Sequence, residues 1–186
     1  MRNGDDINST TSSMPKLFIF LELSFRLCVI PLSAATIGVM ASNKQSNETY
    51  GGVAFSNLTG FKYLVCINAI SVGYALFSIL LSCFRHFNTD WILFLLDQLV
   101  AYLMVTSGSA VAEIFYVANE GDREVSWSEV CSYYDKFCNK TKVSLALHAM
   151  SLLCFIALSL ISAFRLFTKF EAPTLSPKEM YQQGEE

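Results

Sequence analysis

The sequence predicts an all-α integral membrane protein, a bundle of four transmembrane helices. Hydrophobic residues make up 53% of its 186 residues and charged residues only 16%, whereas an average soluble domain is about a quarter charged. The apolar residues are concentrated in four stretches of about 25 residues each. A helix needs about 20 apolar residues to cross the hydrocarbon layer of a bilayer, so each stretch is long enough to span it. The predicted spans are 17–41, 61–84, 91–117 and 143–167.

The alternative for such stretches is a soluble protein with four buried helices. Helices of that kind need amphipathic partners with polar outer faces. The second and fourth spans instead carry no charged residue between Leu64 and Cys83 or between Leu152 and Phe164. A lipid environment therefore explains the pattern better. The net charge of −3 provides no basic surface for nucleic acid, so we expect no nucleic-acid partner.

The segments between the spans define the domain organisation. The turn between the second and third spans is short, so these two spans are predicted to be antiparallel neighbours. The first span is not a cleaved signal peptide, because it exceeds a normal signal core and contains Glu22 and Arg26. An even number of crossings places both tails on the same side of the membrane. The predicted outer loops are 42–60 and 118–142, and the tails are 1–16 and 168–186.

Two features place the outer loops outside the cell and both tails in the cytoplasm. Lys and Arg divide evenly between the two sides, so the positive-inside rule does not decide the orientation. Glycosylation sequons begin at Asn47 and Asn139 in the outer loops, and a third begins at Asn57, close to the membrane. Cys131 and Cys138 also lie in a predicted loop, and a disulfide between them requires an oxidising compartment. Metal binding by this pair is the weaker alternative, because no His accompanies it.

Charged residues inside the predicted spans are the main chemical signal. A charge at membrane depth costs about 2.5–3.5 kcal/mol on insertion scales, so each one needs a partner. Counting from the tail side at 1.5 Å per residue, Arg26 lies about 13 Å into the first span and Asp97 about 9 Å into the third. Glu22 lies one helical turn from Arg26. We predict a buried cluster of these three residues, and favour a structural role for it over a proton or ion relay.

Two weaker patterns concern contacts between the helices. Glu113 and His148 both lie about a turn inside the outer boundary and form a candidate second pair, with lipid headgroups as the alternative partners. Small residues recur at a spacing of four, which lets helix backbones approach closely in lipid. We expect them to pack helices within one chain or between chains. These residues are Ala34 and Gly38, Ala69 and Gly73, and Gly108 and Ala112.

The sequence contains no recognisable catalytic motif. A Gly-rich phosphate loop, an HExxH motif, a Cys-x-x-Cys motif and a nucleophile elbow are all absent from it. We therefore predict that the protein is not an enzyme and uses no cofactor or metal. The alternative to a structural role is a small transporter or channel, with Asp97, Glu113 and His148 along its pathway.

Several motifs occur together along residues 15–170. They are Phe25-Arg26-Leu27, the stretch 95–103 around Asp97, the run 55–65 entering the second span, 107–110 in the third span, and 127–138 in the second outer loop. Together they resemble the plant Casparian strip membrane domain protein-like family, the CASP-like proteins, and most closely its second subgroup. By that likeness, Arg26 and Asp97 are the family's paired intramembrane charges, and Cys131 and Cys138 are its second-loop cysteines.

The resemblance implies a multi-pass plasma-membrane protein with a MARVEL-like four-helix bundle. It also implies homo-oligomers and association with other CASP-like proteins. Some members of the family form membrane domains that guide secreted wall enzymes such as peroxidases. The first outer loop, 42–60, does not match the signature of the strip-forming members. We therefore expect a related scaffold that organises membrane domains, rather than a strip builder.

Overall fold

The structure, a computed structural model, describes residues 5–47, 51–83, 90–121 and 129–170. The described residues form four long helices, and each is long and apolar enough to cross a membrane. The all-α membrane fold predicted from the sequence is therefore confirmed. Helices suit this environment because lipid offers no hydrogen-bond partners, so every backbone group must be satisfied within the protein. The helices are α1 (Asp5–Ala41), α2 (Thr59–Cys83), α3 (Asp90–Glu120) and α4 (Asp135–Phe170).

The helices extend beyond the spans that hydropathy predicts. α1 begins at Asp5 rather than at residue 17, so the predicted N-terminal tail is helical over most of its length. α4 begins at Asp135 rather than at residue 143, which shortens the predicted loop 118–142. The added turns are polar, and hydropathy detects the lipid-facing part of a helix rather than its ends. The short predicted turn between α2 and α3, and most of the predicted tail 168–186, lie outside the described residues.

The helices pack as a four-cornered bundle in which each helix has two neighbours. α1 packs against α2 and α4, and α3 packs against the same two helices, so α1 and α3 face each other across the diagonal. We call the end with the start of α1 and the end of α4 the tail end, and the opposite end the loop end. One apolar cluster fills the middle of the bundle, and its fully buried members are Val29, Met104, Phe155 and Leu158. A second fills the loop end and includes Met40, Phe61, Val111 and Phe137.

The first predicted outer loop contains a small β-hairpin that the sequence did not predict. Strands β1 (Lys44–Asn47) and β2 (Gly51–Ala54) pair antiparallel, with Lys44 opposite Ala54. Both strands are short and lack the alternation of apolar and polar residues that identifies a strand in a sequence. Gly51 has a φ of 84°, a backbone conformation that glycine adopts without a steric penalty. A 3-10 turn, Phe55–Asn57, then leads into α2.

Candidate functional site: a buried charge network

A network of polar side chains near the tail end links all four helices. We call it the charge network. Its members are Glu22 and Arg26 on α1, Tyr74 on α2, Asp97 on α3, and Ser162 and Arg165 on α4.

The centre of the charge network is a two-point contact between Arg26 and Asp97. Arg26 Nη1 donates to Asp97 Oδ1 at 3.1 Å, and Nη2 donates to Oδ2 at 2.9 Å. Both side chains are buried, with exposed fractions of 1% for Arg26 and 0% for Asp97. A planar guanidinium matches a carboxylate in this paired geometry, which makes the contact both strong and directional. The pair connects α1 to α3 across the diagonal of the bundle.

Further groups from α2 and α4 surround the pair. The Tyr74 hydroxyl donates to Asp97 Oδ1 at 2.6 Å, and the Ser162 hydroxyl donates to Oδ2 at 3.1 Å. The Arg26 guanidinium carbon also lies 5.6 Å from the centre of the Tyr74 ring, which attracts a cation. The Asp97 carboxylate therefore accepts four hydrogen bonds, two of them from the guanidinium. These bonds replace the water that the carboxylate would have at the surface.

Glu22 connects the central pair to a second arginine. Its Oε1 accepts from Arg26 Nη2 at 3.1 Å, and its Oε2 accepts from Arg165 Nη1. The charge network thus contains two carboxylates and two guanidinium groups, so its formal charges cancel. Cancellation matters here because a charge left without a partner in a low-dielectric interior is strongly destabilising.

The structure brings together the three residues predicted to cluster and adds three more. Arg165 lies near the end of the fourth predicted span and was not predicted to join the cluster. For Tyr74 and Ser162 nothing in the sequence indicated a contact with Asp97, because neither is charged and each lies in an apolar stretch. One signal was available: Glu22, Arg26 and Asp97 sum to one negative charge, so the predicted cluster needed another cation.

His148 belongs to a separate, neutral cluster nearer the loop end. Its Nε2 lies 2.9 Å from the backbone carbonyl oxygen of Met104, and its Nδ1 lies 3.0 Å from Asn68 Nδ2. A carbonyl can only accept, so Nε2 carries the hydrogen and Nδ1 accepts from the Asn68 amide. Both ring nitrogens are therefore occupied by uncharged groups.

The candidate pair of Glu113 and His148 does not form. Glu113 is exposed on the outer surface of α3, whereas His148 has an exposed fraction of 1% and faces Asn68 on α2. The prediction rested on similar depth in the membrane. Depth follows from counting residues, but the direction in which a side chain points depends on how its helix is rotated about its axis.

A largely apolar layer, which also contains the buried serines Ser33, Ser71 and Ser151, separates the charge network from the His148 cluster. Val100, Ala101 and Phe155 are buried in this layer. Within this layer, Ser71 donates to the Ile67 carbonyl and to Met104 Sδ, and Ser33 donates to the Ser151 hydroxyl. Among the described residues, no group of three or more His, Cys, Asp or Glu side chains is placed to hold a metal ion.

The predicted small residues divide into two groups. At Gly108, an added Cβ would lie 3.1 Å from two atoms of the His148 ring, so glycine permits the close approach of α3 and α4. Gly38 and Gly73 have open space instead, with nothing within 4 Å of an added Cβ. The predicted alanines also face outward, and they are Ala34, Ala69 and Ala112. Of the six small residues found by their spacing of four, one therefore lies at a contact between helices inside the bundle, and the other five lie on its outer surface.

The two predicted outer loops are joined at the loop end. A disulfide links Cys131 to Cys138, whose Cα atoms are 5.7 Å apart. Between these cysteines, the Tyr134 hydroxyl donates to the Gly51 carbonyl at 2.9 Å, and the Phe137 amide donates to Gln45 Oε1 at 2.9 Å. We call the disulfide and these two contacts with the hairpin the loop clasp.

Asn43 adds a further connection beneath the loop clasp, and the predicted glycosylation sites lie around it. The buried Asn43 amide donates to the Phe137 carbonyl and to the Thr141 hydroxyl, both at 3.0 Å. Asn57 and Asn139 are exposed, as a glycan acceptor must be. The side chain of Asn47 and the rest of its sequon lie outside the described residues.

Four apolar helices around an internally neutral charge network define a multi-pass membrane protein of the four-span type. The chain belongs to the family defined by the Casparian strip membrane protein domain, which matches residues 16–157. The family predicted from the sequence is thereby confirmed.

Relatives resemble this chain over most of its length. CASP-like protein 2D1 of Oryza sativa subsp. indica is 58% identical over 160 residues, which cover 86% of this chain and 80% of the relative. CASP-like protein 2D1 of Sorghum bicolor is 51% identical over 166 residues, 89% of this chain and 92% of the relative. CASP-like protein 2A1 of Zea mays is 44% identical over 159 residues, which cover 84% of this chain and 74% of the relative. No solved structure is significantly similar to the chain.

Proposed function

We propose that this protein is a non-enzymatic scaffold of the plasma membrane. In this proposal it oligomerises with itself and with other CASP-like proteins, organises a membrane domain, and guides local modification of the cell wall. The observation that carries the proposal is the charge network, in which the buried guanidinium of Arg26 and the partly buried one of Arg165 both find carboxylates within the same chain. A bundle whose interior charges are already paired can keep its fold while its outer helix faces contact lipid or other chains.

The proposed orientation places the loop end outside the cell and both termini in the cytoplasm. The disulfide of the loop clasp supports this orientation, since such bonds persist in oxidising compartments. The exposed sequon residues Asn57 and Asn139 lie at the same end. The hairpin and the start of α4 would then face the wall, where secreted wall enzymes are the proposed partners.

The apolar layer of the bundle favours a scaffold over a transporter or channel. A relay for protons or ions needs a chain of ionisable or hydrated groups across the membrane. Asp97 and His148 are separated by buried apolar side chains, including Phe155 and Leu158. Glu113 faces outward rather than into the bundle. The three residues of the alternative pathway are therefore not aligned along one route.

Two measurements on the full-length protein test the scaffold proposal. Copies carrying two different tags are expressed together in plant cells, and one tag is used for purification after mild crosslinking. We expect the second tag, related CASP-like proteins and wall enzymes to be recovered, and we expect little lateral fluorescence recovery in the membrane. An unrelated four-span protein of similar abundance is the control. Isolated monomers that carry a pH-dependent ion flux in liposomes would refute the proposal.

A further inference from the structure

We propose that the Cys131–Cys138 disulfide is a thiol–disulfide exchange site, which a small-molecule thiol opens and a small-molecule disulfide closes. The inference concerns the chemistry of the loop clasp and is independent of the scaffold role. It rests on three observations: an open cleft beside the disulfide, a different environment for each sulfur, and the contacts that the disulfide holds in place.

The cleft gives a small thiol access to the disulfide. Its lining includes both cysteines together with Phe115, Ser132, Asp135 and Lys142. Cys131 is half-buried, whereas Cys138 has an exposed fraction of only 9%. An incoming thiolate therefore reaches the sulfur of Cys131 more easily than that of Cys138.

Two features near Cys138, the start of a helix and a lysine, favour negative charge on its sulfur. Cys138 lies in the first turn of α4, whereas Cys131 precedes this helix. The N-terminus of a helix and a nearby lysine both stabilise a thiolate. Lys142 lies one turn further along α4 and lines the same cleft. Asp135 and Glu129 line it too and act in the opposite direction, which supplies charges of both signs for a test.

The exchange balances with two thiols as the reductant. A thiolate attacks Sγ of Cys131, the bond between the two protein sulfurs breaks, and its electron pair leaves on Sγ of Cys138. A mixed disulfide now links the small molecule to Cys131. A second thiolate attacks the small-molecule sulfur and releases Cys131. Two thiols are thereby oxidised to one disulfide, the protein disulfide is reduced to two cysteine thiols, and the two protons from the small thiols end on these cysteines.

Opening the disulfide would loosen the hold of α4 on the first outer loop. The ring that the disulfide closes contains Tyr134 and Phe137, which bond to Gly51 and Gln45 of the hairpin. Without the covalent link, the segment is kept in place by these two hydrogen bonds, by the bond from Asn43 to the Phe137 carbonyl, and by the packing of Phe137 against Phe61. Thiol exchange would therefore set how firmly the outer surface is held together.

The test uses full-length protein in lipid nanodiscs, equilibrated with mixtures of reduced and oxidised glutathione. Free thiols are trapped by alkylation, and peptide mass spectrometry measures the alkylated fraction of Cys131 and Cys138. We expect this fraction to follow the glutathione ratio and to reach the same value from both directions. We also expect the backbone amides of residues 51–54, in the hairpin, to take up deuterium faster when the disulfide is open. A disulfide that stays closed at every ratio until the protein is denatured would overturn the proposal.

Three variants test the electrostatic part. Lys142→Gln is expected to lower the equilibrium constant for opening about threefold, and Asp135→Asn to raise it by a similar factor. Lys136→Gln is the matched control, since Lys136 is exposed on the same helix but does not line the cleft. In rapidly quenched samples, we expect the first glutathione adduct on Cys131. Equal effects of the two lysine variants, or a first adduct on Cys138, would overturn the assignment of Cys138 as the leaving group.

Discussion

At the tail end the four helices are joined by a buried network of charged side chains, whereas at the loop end α4 and the hairpin are joined mainly by hydrogen bonds of amide, hydroxyl and carbonyl groups, next to a disulfide. The tail end depends on Arg26 and Asp97, both almost completely buried. The loop end depends on amide, hydroxyl and carbonyl groups such as those of Asn43 and Tyr134. Both ends are polar, but the buried ion pairs between helices lie at the tail end, and the charged side chains of the loop-end cleft lie at its surface.

The difference determines how each end fails when a single group is removed. Removing one member of a buried ion pair leaves the other without a partner, at a cost of about 3–5 kcal/mol. Removing one neutral hydrogen bond costs about 1 kcal/mol, because the freed group can find water or another partner near the surface. The tail end should therefore fail as a unit, whereas the loop end should weaken in steps.

The largest expected effect follows Asp97→Ala. The substitution leaves Arg26 with one carboxylate partner, Glu22, which is shared with Arg165. We expect the free energy of unfolding to fall by about 3–5 kcal/mol and little folded protein to reach its proposed location, the plasma membrane. Thermal unfolding in detergent and surface abundance measure these two effects. Glu113→Ala removes an exposed carboxylate from the same helix and should change neither.

A double variant tests whether the loss comes from the stranded charge. Arg26→Met combined with Asp97→Leu removes one charge of each sign and leaves the contact between Glu22 and Arg165. Because apolar side chains of similar size replace the pair, we expect most of the stability lost in Asp97→Ala to return. Normal abundance and assembly of Asp97→Ala alone would contradict a structural role for the pair.

A pair of matched tyrosine variants compares the two ends directly. Tyr74→Phe removes a hydrogen bond to the Asp97 carboxylate, and Tyr134→Phe removes one to the Gly51 carbonyl. We expect the free energy of unfolding to fall by about 1.5 kcal/mol in Tyr74→Phe and by about 0.5 kcal/mol in Tyr134→Phe, because a hydrogen bond to an ionised group is stronger than one to a neutral carbonyl. Chemical unfolding in mixed detergent micelles measures both. Equal losses would mean that the ionised carboxylate adds nothing to the bond.

The smallest expected effect comes from a pair of glycine variants between the two ends. In Gly108→Ala the new Cβ would lie 3.1 Å from the His148 ring, whereas in Gly73→Ala it would have open space. At residue 108, crowding against the His148 ring should outweigh the better helix propensity of alanine. We expect the free energy of unfolding to fall by about 0.5 kcal/mol. Gly73→Ala should be neutral or slightly stabilising. Thermal unfolding of the two variants side by side tests this, and a more stable Gly108→Ala would show that His148 can move aside.

Residues that lie on one helix, or at matching depths, were predictable from the sequence. Glu22 and Arg26 are one turn apart, and Asp97 lies at a similar depth from the tail side, so counting residues was enough to group them. Arg165 and Tyr74 were missed because their roles depend on which helices are neighbours around the bundle. The predicted contact between Glu113 and His148 does not form, because the depth of a residue in the membrane does not specify how its helix is rotated about its axis.

The sequence by itself determined that the chain crosses a membrane, how many helices cross, and that Arg26 and Asp97 had to find partners. Hydropathy and charge are sufficient for this, because lipid penalises every unpaired charge regardless of where the neighbouring helices lie. Only the tertiary structure decided that Arg165 makes the charge network neutral, that His148 bonds to Asn68, and that the hairpin rests on α4. These outcomes depend on helix rotation and on the order of helices around the bundle, which side-chain packing sets and which a one-dimensional pattern does not contain.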